Sequence, residues 1–331
     1  MTNIFASDCR PVGGLASRRI SKLNGTFPGY ASSFSRRNVL LEEPIVRLLK
    51  EVERMDQHKF GSSQLRVSTV GLGCSRLGSI LGASPGVAAR LLNLALESGV
   101  TYFDTSDLYG QGESERLLGR HVVGHARVVI ATKVGKRHPL GMRLLTPFRR
   151  VATGLRGRAS GVLRQARARP VPTCYEAGYL AMAINRALIR LDCPEIDVVM
   201  LHSPDAEILL NGDAVGVLEQ ARTAGKIRVI GASVDDLAAA EAALADPRIG
   251  ALQIPLGFGE RDFRAVAAKA ARQGVAVVAR EIFCGVPPER RDPLAMKGAI
   301  CAASAIPGVS VSLVGTIHGD HLIQAIEAVS C

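Results

Sequence analysis

The sequence predicts an α/β protein built from eight strand–helix units, and three observations carry that expectation. Short apolar runs rich in Val, Ile and Ala alternate with longer Ala- and Leu-rich segments of helical periodicity. Gly225, Gly274 and Gly308 fall just after such segments, where a left-handed residue stops a helix. The chain has 331 residues, 47% of them hydrophobic, which is enough for one large core. Repeated alternation of this kind implies parallel strands joined by helical crossovers.

The elements follow in order. Residues 59–73 read as a hairpin running into the first strand. Later strands are expected at 101–104, 128–133, 196–202, 227–233, 251–254, 275–279 and 311–315. Clear helices are expected at 86–98, 176–191 and 235–246. Residues 1–56 stand apart as a basic, flexible N-terminal extension, because its first forty or so residues are rich in Arg, Ser and Gly. Within it, residues 39–58 have apolar positions at helical intervals, predicting a short amphipathic helix. Ser35-Arg36-Arg37 resembles an export signal, but Glu42, Glu43 and Arg47 interrupt the apolar run that export needs. The segment 136–173 is an unusually long connection, with nine arginines, one lysine and no acid.

Composition excludes several function classes. No stretch approaches the ~20 apolar residues of a membrane helix. Seven scattered cysteines without a C-x-x-C pair read as reduced thiols in a cytoplasmic protein. The net charge of +11 lies mostly in the N-terminal region and in 116–175. Such charge attracts anions, yet no aromatic interleaving or nucleic-acid motif accompanies it, so no nucleic-acid partner is expected. His121 and His125 are four apart, but Val122 stands where a zincin needs glutamate, so both read as surface helix residues and no metal site is indicated. Gly71-Leu72-Gly73-Cys74-Ser75-Arg76 lacks the third glycine of a dinucleotide fingerprint, and Gly73 to Gly78 lacks the lysine of a P-loop.

Four residues carry chemistry. Asp104 and Tyr109 lie in FDTSDLYG (103–110), Lys133 in VVIATKVG (128–135), and His202 in DVVMLHSPD (197–205). A phenol is a weak acid, with a reference pKa of about 10. A nearby ammonium stabilises the phenolate, a carboxylate holds the ammonium, and an imidazole can orient a carbonyl oxygen. A lysine that closes an apolar strand is costly unless paired. Together these are the parts needed to deliver a proton during hydride transfer to or from a carbonyl.

These segments resemble the aldo-keto reductase family over about 59–326, roughly four fifths of the chain. The resemblance implies a (β/α)8 TIM barrel at 57–331 and a nicotinamide-dependent oxidoreductase. It would make Tyr109 the general acid/base, Asp104 and Lys133 its support, and His202 the residue that orients the substrate carbonyl. Ser233 and Gln253 match positions that hold the nicotinamide carboxamide, although Val234 replaces the usual asparagine. Arg280 stands where a ring often stacks on the nicotinamide; the alternative for it is a surface salt bridge. Gly315, Thr316 and Gly319 would let backbone approach the cofactor phosphates. His318 and His321 stand near positions where NADP-specific members carry Lys or Arg, so both NADP and NAD are candidates. The expected substrate is a small carbonyl compound or sugar, with an anionic one suited to the basic loop. LYGQGESERLLG looks most like the aldose dehydrogenase branch. The alternative from another class is a cofactor-binding regulatory or sensor subunit with little turnover.

Overall fold

Strand after strand in this chain is mostly apolar and buried at every position, as in YFD, VIATKV and AVVA, and such a strand is stable only when both of its faces are covered. The computed structural model satisfies that demand by closing the sheet into a cylinder surrounded by helices. It describes residues 57–79, 82–137, 171–257, 261–284, 286 and 292–329. The predicted N-terminal extension and most of the arginine-rich connection lie outside the described residues.

An antiparallel pair comes first, β1 (Gln57–Lys59) and β2 (Arg66–Ser68). The barrel strands are β3 (Val70–Gly73), β4 (Tyr102–Asp104), β5 (Val129–Val134), β6 (Ile196–His202), β7 (Ile227–Ser233), β8 (Ala251–Pro255), β9 (Ala276–Arg280) and β10 (Val309–Val314). They pair in sequence order, all parallel, and β10 closes on β3. The helices between them are α1 (Pro85–Glu97), α2 (Glu113–His121), α3 (Ala177–Leu191), α4 (Ala206–Asn211), α5 (Asp213–Thr223), α6 (Leu237–Ala245), α7 (Arg261–Arg272), α8 (Pro293–Ser304) and α9 (Gly319–Val329). Their starts are chemically marked. Ser84, Asp205, Asp236 and Asp292 each accept a backbone N–H from the first turn of α1, α4, α6 and α8.

Two cores result. One lies between the sheet's outer face and the helices, and includes Leu72, Phe103, Ile130, Val199 and Ile230. The other fills the barrel interior with Tyr102, Val129, Ala131, Met200, Val278 and Val311. Phe60, Leu65 and Val67 of the hairpin join this inner core, and the Phe60 ring sits 5.6 Å from that of Tyr102. The hairpin thus plugs the N-terminal mouth. Gly61, at φ +56°, permits the close approach: a Cβ there would come within 2.5 Å of the Gly274 carbonyl. The C-terminal mouth is left for chemistry.

Gly225, Gly274 and Gly308 do adopt positive φ after α5, α7 and α8. Three expectations need correcting. The hairpin begins at Gln57, so Gln57 and His58 are strand and not the end of an amphipathic helix. His58 is held there by cross-strand pairing and by a 2.6 Å bond between Nε2 and the Ser310 carbonyl. His125 lies in the turn beyond α2, so it shares no helix with His121. And α4 interposes a short helix before α5, with Gly212 at φ +79° as the break between them.

Candidate active site

The C-terminal ends of β4 to β9 each deliver a polar side chain to one mouth. Asp104 is the last residue of β4, His202 of β6, Ser233 of β7 and Arg280 of β9; Lys133 and Gln253 sit near the ends of β5 and β8. Tyr109 follows β4 by one turn and opens a 3₁₀ segment, Tyr109–Gly112, in which Gly110 and Gln111 are left-handed. Ser203 and Glu281, the residues after His202 and Arg280, are non-glycine residues at φ +55° and +56°. Backbone strain of this kind gathers at functional mouths.

Lys133 and Asp104 are almost fully buried, 1% and 4% exposed, and they are paired. The Lys133 ammonium donates to Asp104 Oδ1 at 2.6 Å, to Oδ2 at 2.7 Å and to the Thr105 carbonyl at 3.0 Å. It lies 5.2 Å from the centre of the Tyr109 ring. Burial alone would lower the Lys133 pKa, but Asp104 and then Tyr109 outweigh it and hold the ammonium above its ordinary value. The Tyr109 and His202 rings meet edge to face, with centres 6.1 Å apart.

Tyr109 departs from expectation. The ammonium was expected to lower its pKa below the usual value. Burial is the larger effect and raises it; Lys133 pulls it down, Asp104 pushes it up, and the net shift is upward. The phenol is therefore firmly protonated at neutral pH. His202 moves the opposite way. Burial first, then the positive charges of Lys133, Lys136 and Arg280, hold its pKa well below the ordinary histidine value. It is a neutral imidazole at neutral pH, able to donate from one nitrogen and accept at the other.

The candidate cofactor residues join the same network. Ser233 Oγ donates to Gln253 Oε1 at 2.7 Å, and Gln253 Nε2 donates to Asp104 Oδ2 at 2.9 Å. One chain of bonds thus runs from Ser233 to Lys133. Arg280 forms ion pairs with Asp235 and Glu281 and donates to the Val234 carbonyl at 2.8 Å. The salt bridge weighed as its alternative role is present, and it braces the guanidinium at the edge of the mouth. At the far side, Gly315 and Thr316 link β10 to α9, and Thr316 Oγ1 accepts from the His318 N–H at 3.0 Å. His318 and His321 are exposed at the start of α9, their rings 5.2 Å apart. A Cβ on Gly315 would meet nothing within 4 Å, whereas one on Gly319 would meet Leu94 at 2.7 Å. Gly315 therefore leaves open space for a ligand, and Gly319 serves the packing of α9 on α1. A buried hydroxyl and amide at one end and a helix N-terminus at the other fit the two ends of a nicotinamide dinucleotide.

Sequence reasoning missed a supporting layer. Thr132 Oγ1 donates to the fully buried Glu115 at 2.7 Å, and Arg190 pairs with the other Glu115 oxygen. Ser106 Oγ lies 3.2 Å from His202 Nδ1, and the Tyr175 hydroxyl donates to the His202 carbonyl at 2.9 Å. The signal for Ser106 was available, since it sits in the same FDTSDLYG run as Asp104 and Tyr109. Among the described residues no group of three or more His, Cys, Asp or Glu is arranged to hold a metal ion.

Comparison with known proteins agrees with the fold. A model of the aldo/keto reductase family matches residues 69–286. The 6-dehydroglucose reductase of Novosphingobium aromaticivorans is 31% identical over 186 residues, which cover 53% of this chain and 50% of that protein. The uncharacterized oxidoreductase YqkF of Bacillus subtilis is 28% identical over 182 residues, 54% of this chain and 49% of that one. The chain spans about half the length of these curated relatives. Among solved structures, the holo form of the aldo-keto reductase AKR11C1 from Bacillus halodurans superposes with a TM-score of 0.66 at 23% identity, covering 84% of this chain and 91% of that one. The glycerol dehydrogenase AKR11B4 from Gluconobacter oxydans gives 0.62 at 18% identity, covering 83% and 90%. These superpositions show the fold, a (β/α)8 barrel. Among the described residues no helix is long and apolar enough to cross a membrane.

Proposed function

Since the chain belongs to the aldo/keto reductase family, we propose that it is a nicotinamide-dependent reductase of aldehydes, ketones or aldoses, with Tyr109 as its proton donor. The observation that carries this reading is the buried Asp104–Lys133 pair beside a protonated phenol and a neutral imidazole. A bound NAD(H) or NADP(H) would supply or accept the hydride. Ser233 and Gln253 would hold its carboxamide, Arg280 would face its ring, and Gly315, Thr316 and His321 would meet its phosphates.

The chain's own groups divide the work. His202 donates a hydrogen bond to the substrate's carbonyl oxygen and turns it towards Tyr109. Tyr109 gives its phenolic proton to that oxygen as the carbonyl is reduced, and the Lys133 ammonium stabilises the phenolate left behind. Asp104 keeps the ammonium in place. The upward shift of the Tyr109 pKa supports reduction as the neutral-pH direction, because the acid form is present and the base form is scarce. Oxidation of an alcohol or an aldose would require the phenolate and would gain at alkaline pH. The 6-dehydroglucose reductase relative supports a sugar-derived carbonyl as substrate. The scattered cysteines, with no C-x-x-C pair, suit a cytoplasmic setting.

The test is a panel of simple aldehydes, aldoses, 6-dehydroglucose and sugar acids, assayed with both reduced and both oxidised cofactors. Reduction of at least one carbonyl that vanishes in Tyr109→Phe is expected. Cofactor binding with no turnover on any member of the panel would overturn the reading.

A further inference from the structure

The Ser106 hydroxyl is a polar group beside the site with several partners. It is fully buried. Its single proton faces three acceptors: Asp107 Oδ1 at 3.2 Å, the Lys133 carbonyl at 3.3 Å and His202 Nδ1 at 3.2 Å. It also accepts the Leu108 N–H at 3.1 Å. None of the three distances is the ~2.7 Å of a committed O–H···O bond. The proton is shared, and the charge of its neighbours decides where it points. Asp107 is the one acceptor of the three whose charge changes near neutral pH, His202 being held neutral there, and a carboxylate is a much stronger acceptor than a carboxyl group or an imidazole.

We propose that Ser106 and Asp107 are positioning residues which choose the tautomer of His202: uncharged Asp107 leaves the Ser106 proton to His202 Nδ1, and ionised Asp107 draws it away. The inference rests on the proposed role of His202 in orienting a carbonyl. In the first state Nδ1 accepts, so the imidazole proton is on Nε2, the nitrogen left for the pocket, where it can donate to a carbonyl oxygen. In the second state Ser106 donates to Asp107. Its second lone pair accepts a hydrogen bond from Nδ1–H, and Nε2 presents a lone pair that repels the same oxygen. The bookkeeping closes: Asp107 exchanges one proton with solvent, and the imidazole stays neutral in both states.

The surroundings place this exchange near neutral pH. Burial, and then the negative charge of Glu115 on α2, push the Asp107 carboxyl up to about 7; Arg190 on α3, Ser106 and the Leu108 N–H oppose the shift. Tyr179 on α3, whose own pKa Asp107 helps to raise, also faces it, as do His202 and Lys133 across Ser106. Among the other titrating groups of the mechanism, His202 is held well below the ordinary histidine value, and Tyr109 and Lys133 are held above their ordinary values. A transition near neutral pH therefore belongs to Asp107.

The test reads the tautomer directly. Protein labelled with ¹⁵N-histidine is followed by NMR between about pH 6 and 8.5, spanning the ordinary histidine window, with His202→Asn used to assign the His202 signals. The expected wild-type result is an Nε2–H pattern at the acid end that converts to Nδ1–H around the Asp107 midpoint. Asp107→Asn holds the Nε2–H pattern throughout. Ser106→Ala shows no conversion in that range. Carbonyl reduction, measured in parallel, has a limb at the same midpoint in wild type that Asp107→Asn lacks. One tautomer at every pH in wild type, or a conversion that survives in Ser106→Ala, would overturn the proposal. The NMR readout needs no turnover. A conversion abolished by Ser106→Ala in a protein that reduces no carbonyl supports the relay and counts against the reductase reading alone.

Discussion

Replacing Lys133 with Met removes the ammonium while keeping most of the volume of the side chain, and its consequences can be worked from the geometry. Two Asp104 oxygens lie 2.6 and 2.7 Å from Nζ, and both side chains are almost fully enclosed. Removing one partner of a buried pair strands the other charge and costs ~3–5 kcal/mol. Gln253 still donates to Asp104 Oδ2 at 2.9 Å, which favours the lower figure. For a domain of this size that corresponds to a fall in Tm of about 5 °C. The loss should depend on pH. A carboxyl group that is buried without its cation has a folded-state pKa above the unfolded value of about 3.9. The folded state then binds more protons than the unfolded one, so the variant gains stability as pH falls through the raised value and loses it as pH rises. Activity should follow a second route. Lys133 pulls the Tyr109 pKa down against burial, so without it the phenol becomes a still weaker acid and the pH profile of alcohol oxidation moves to the alkaline side. Thermal melts followed by circular dichroism at about pH 5 and about pH 8, together with a pH–rate profile, check both parts. An equal loss of Tm at the two pH values, with turnover and profile unchanged, would refute the reasoning.

Tyr109→Phe keeps the ring and removes the proton; carbonyl reduction should fall by ~10²–10⁴-fold with cofactor binding retained, read by steady-state kinetics and fluorescence titration. The first turn of α9 offers histidine and no Lys or Arg for a 2′-phosphate. NAD(H) should accordingly be used as well as or better than NADP(H) at mildly alkaline pH, and a preference for NADPH of about a hundredfold, ~2.8 kcal/mol, would contradict this. Gly119→Ala would place a Cβ 2.7 Å from the Leu191 carbonyl oxygen and 2.9 Å from that of Arg190, where α2 crosses α3. Overpacking against backbone should cost ~1–3 kcal/mol in a denaturant melt. Gly178→Ala, in α3 with nothing within 4 Å of its Cβ, should be neutral or stabilising by up to ~1 kcal/mol in the same assay.

The sequence by itself determined the alternation of strand and helix and, through the family resemblance, pointed to the barrel and to the candidates for its site. Strand β7 spans 227–233 and β6 closes on His202, both as read, because a strand covered on both faces is mostly apolar and its run gives out near polar residues. Asp104, Lys133 and His202 were legible for the same reason: each is a polar residue that ends or interrupts such a run. What each of them does was not legible, because it depends on burial and on charges brought near from distant positions. Gln253 and Asp104 are 149 residues apart in the chain, yet they share a hydrogen bond. The Tyr109 pKa rises because enclosure outweighs an ammonium that sequence reading had taken to be decisive. Ser106 sat in plain view in FDTSDLYG, but a serine's partners are set by direction, and only the fold brings His202 Nδ1, the Lys133 carbonyl and Asp107 around one hydroxyl. Periodicity along the chain fixes which faces are covered. Electrostatics falls off with distance through the folded molecule, so tertiary structure alone decided how these groups are charged and which of them touch.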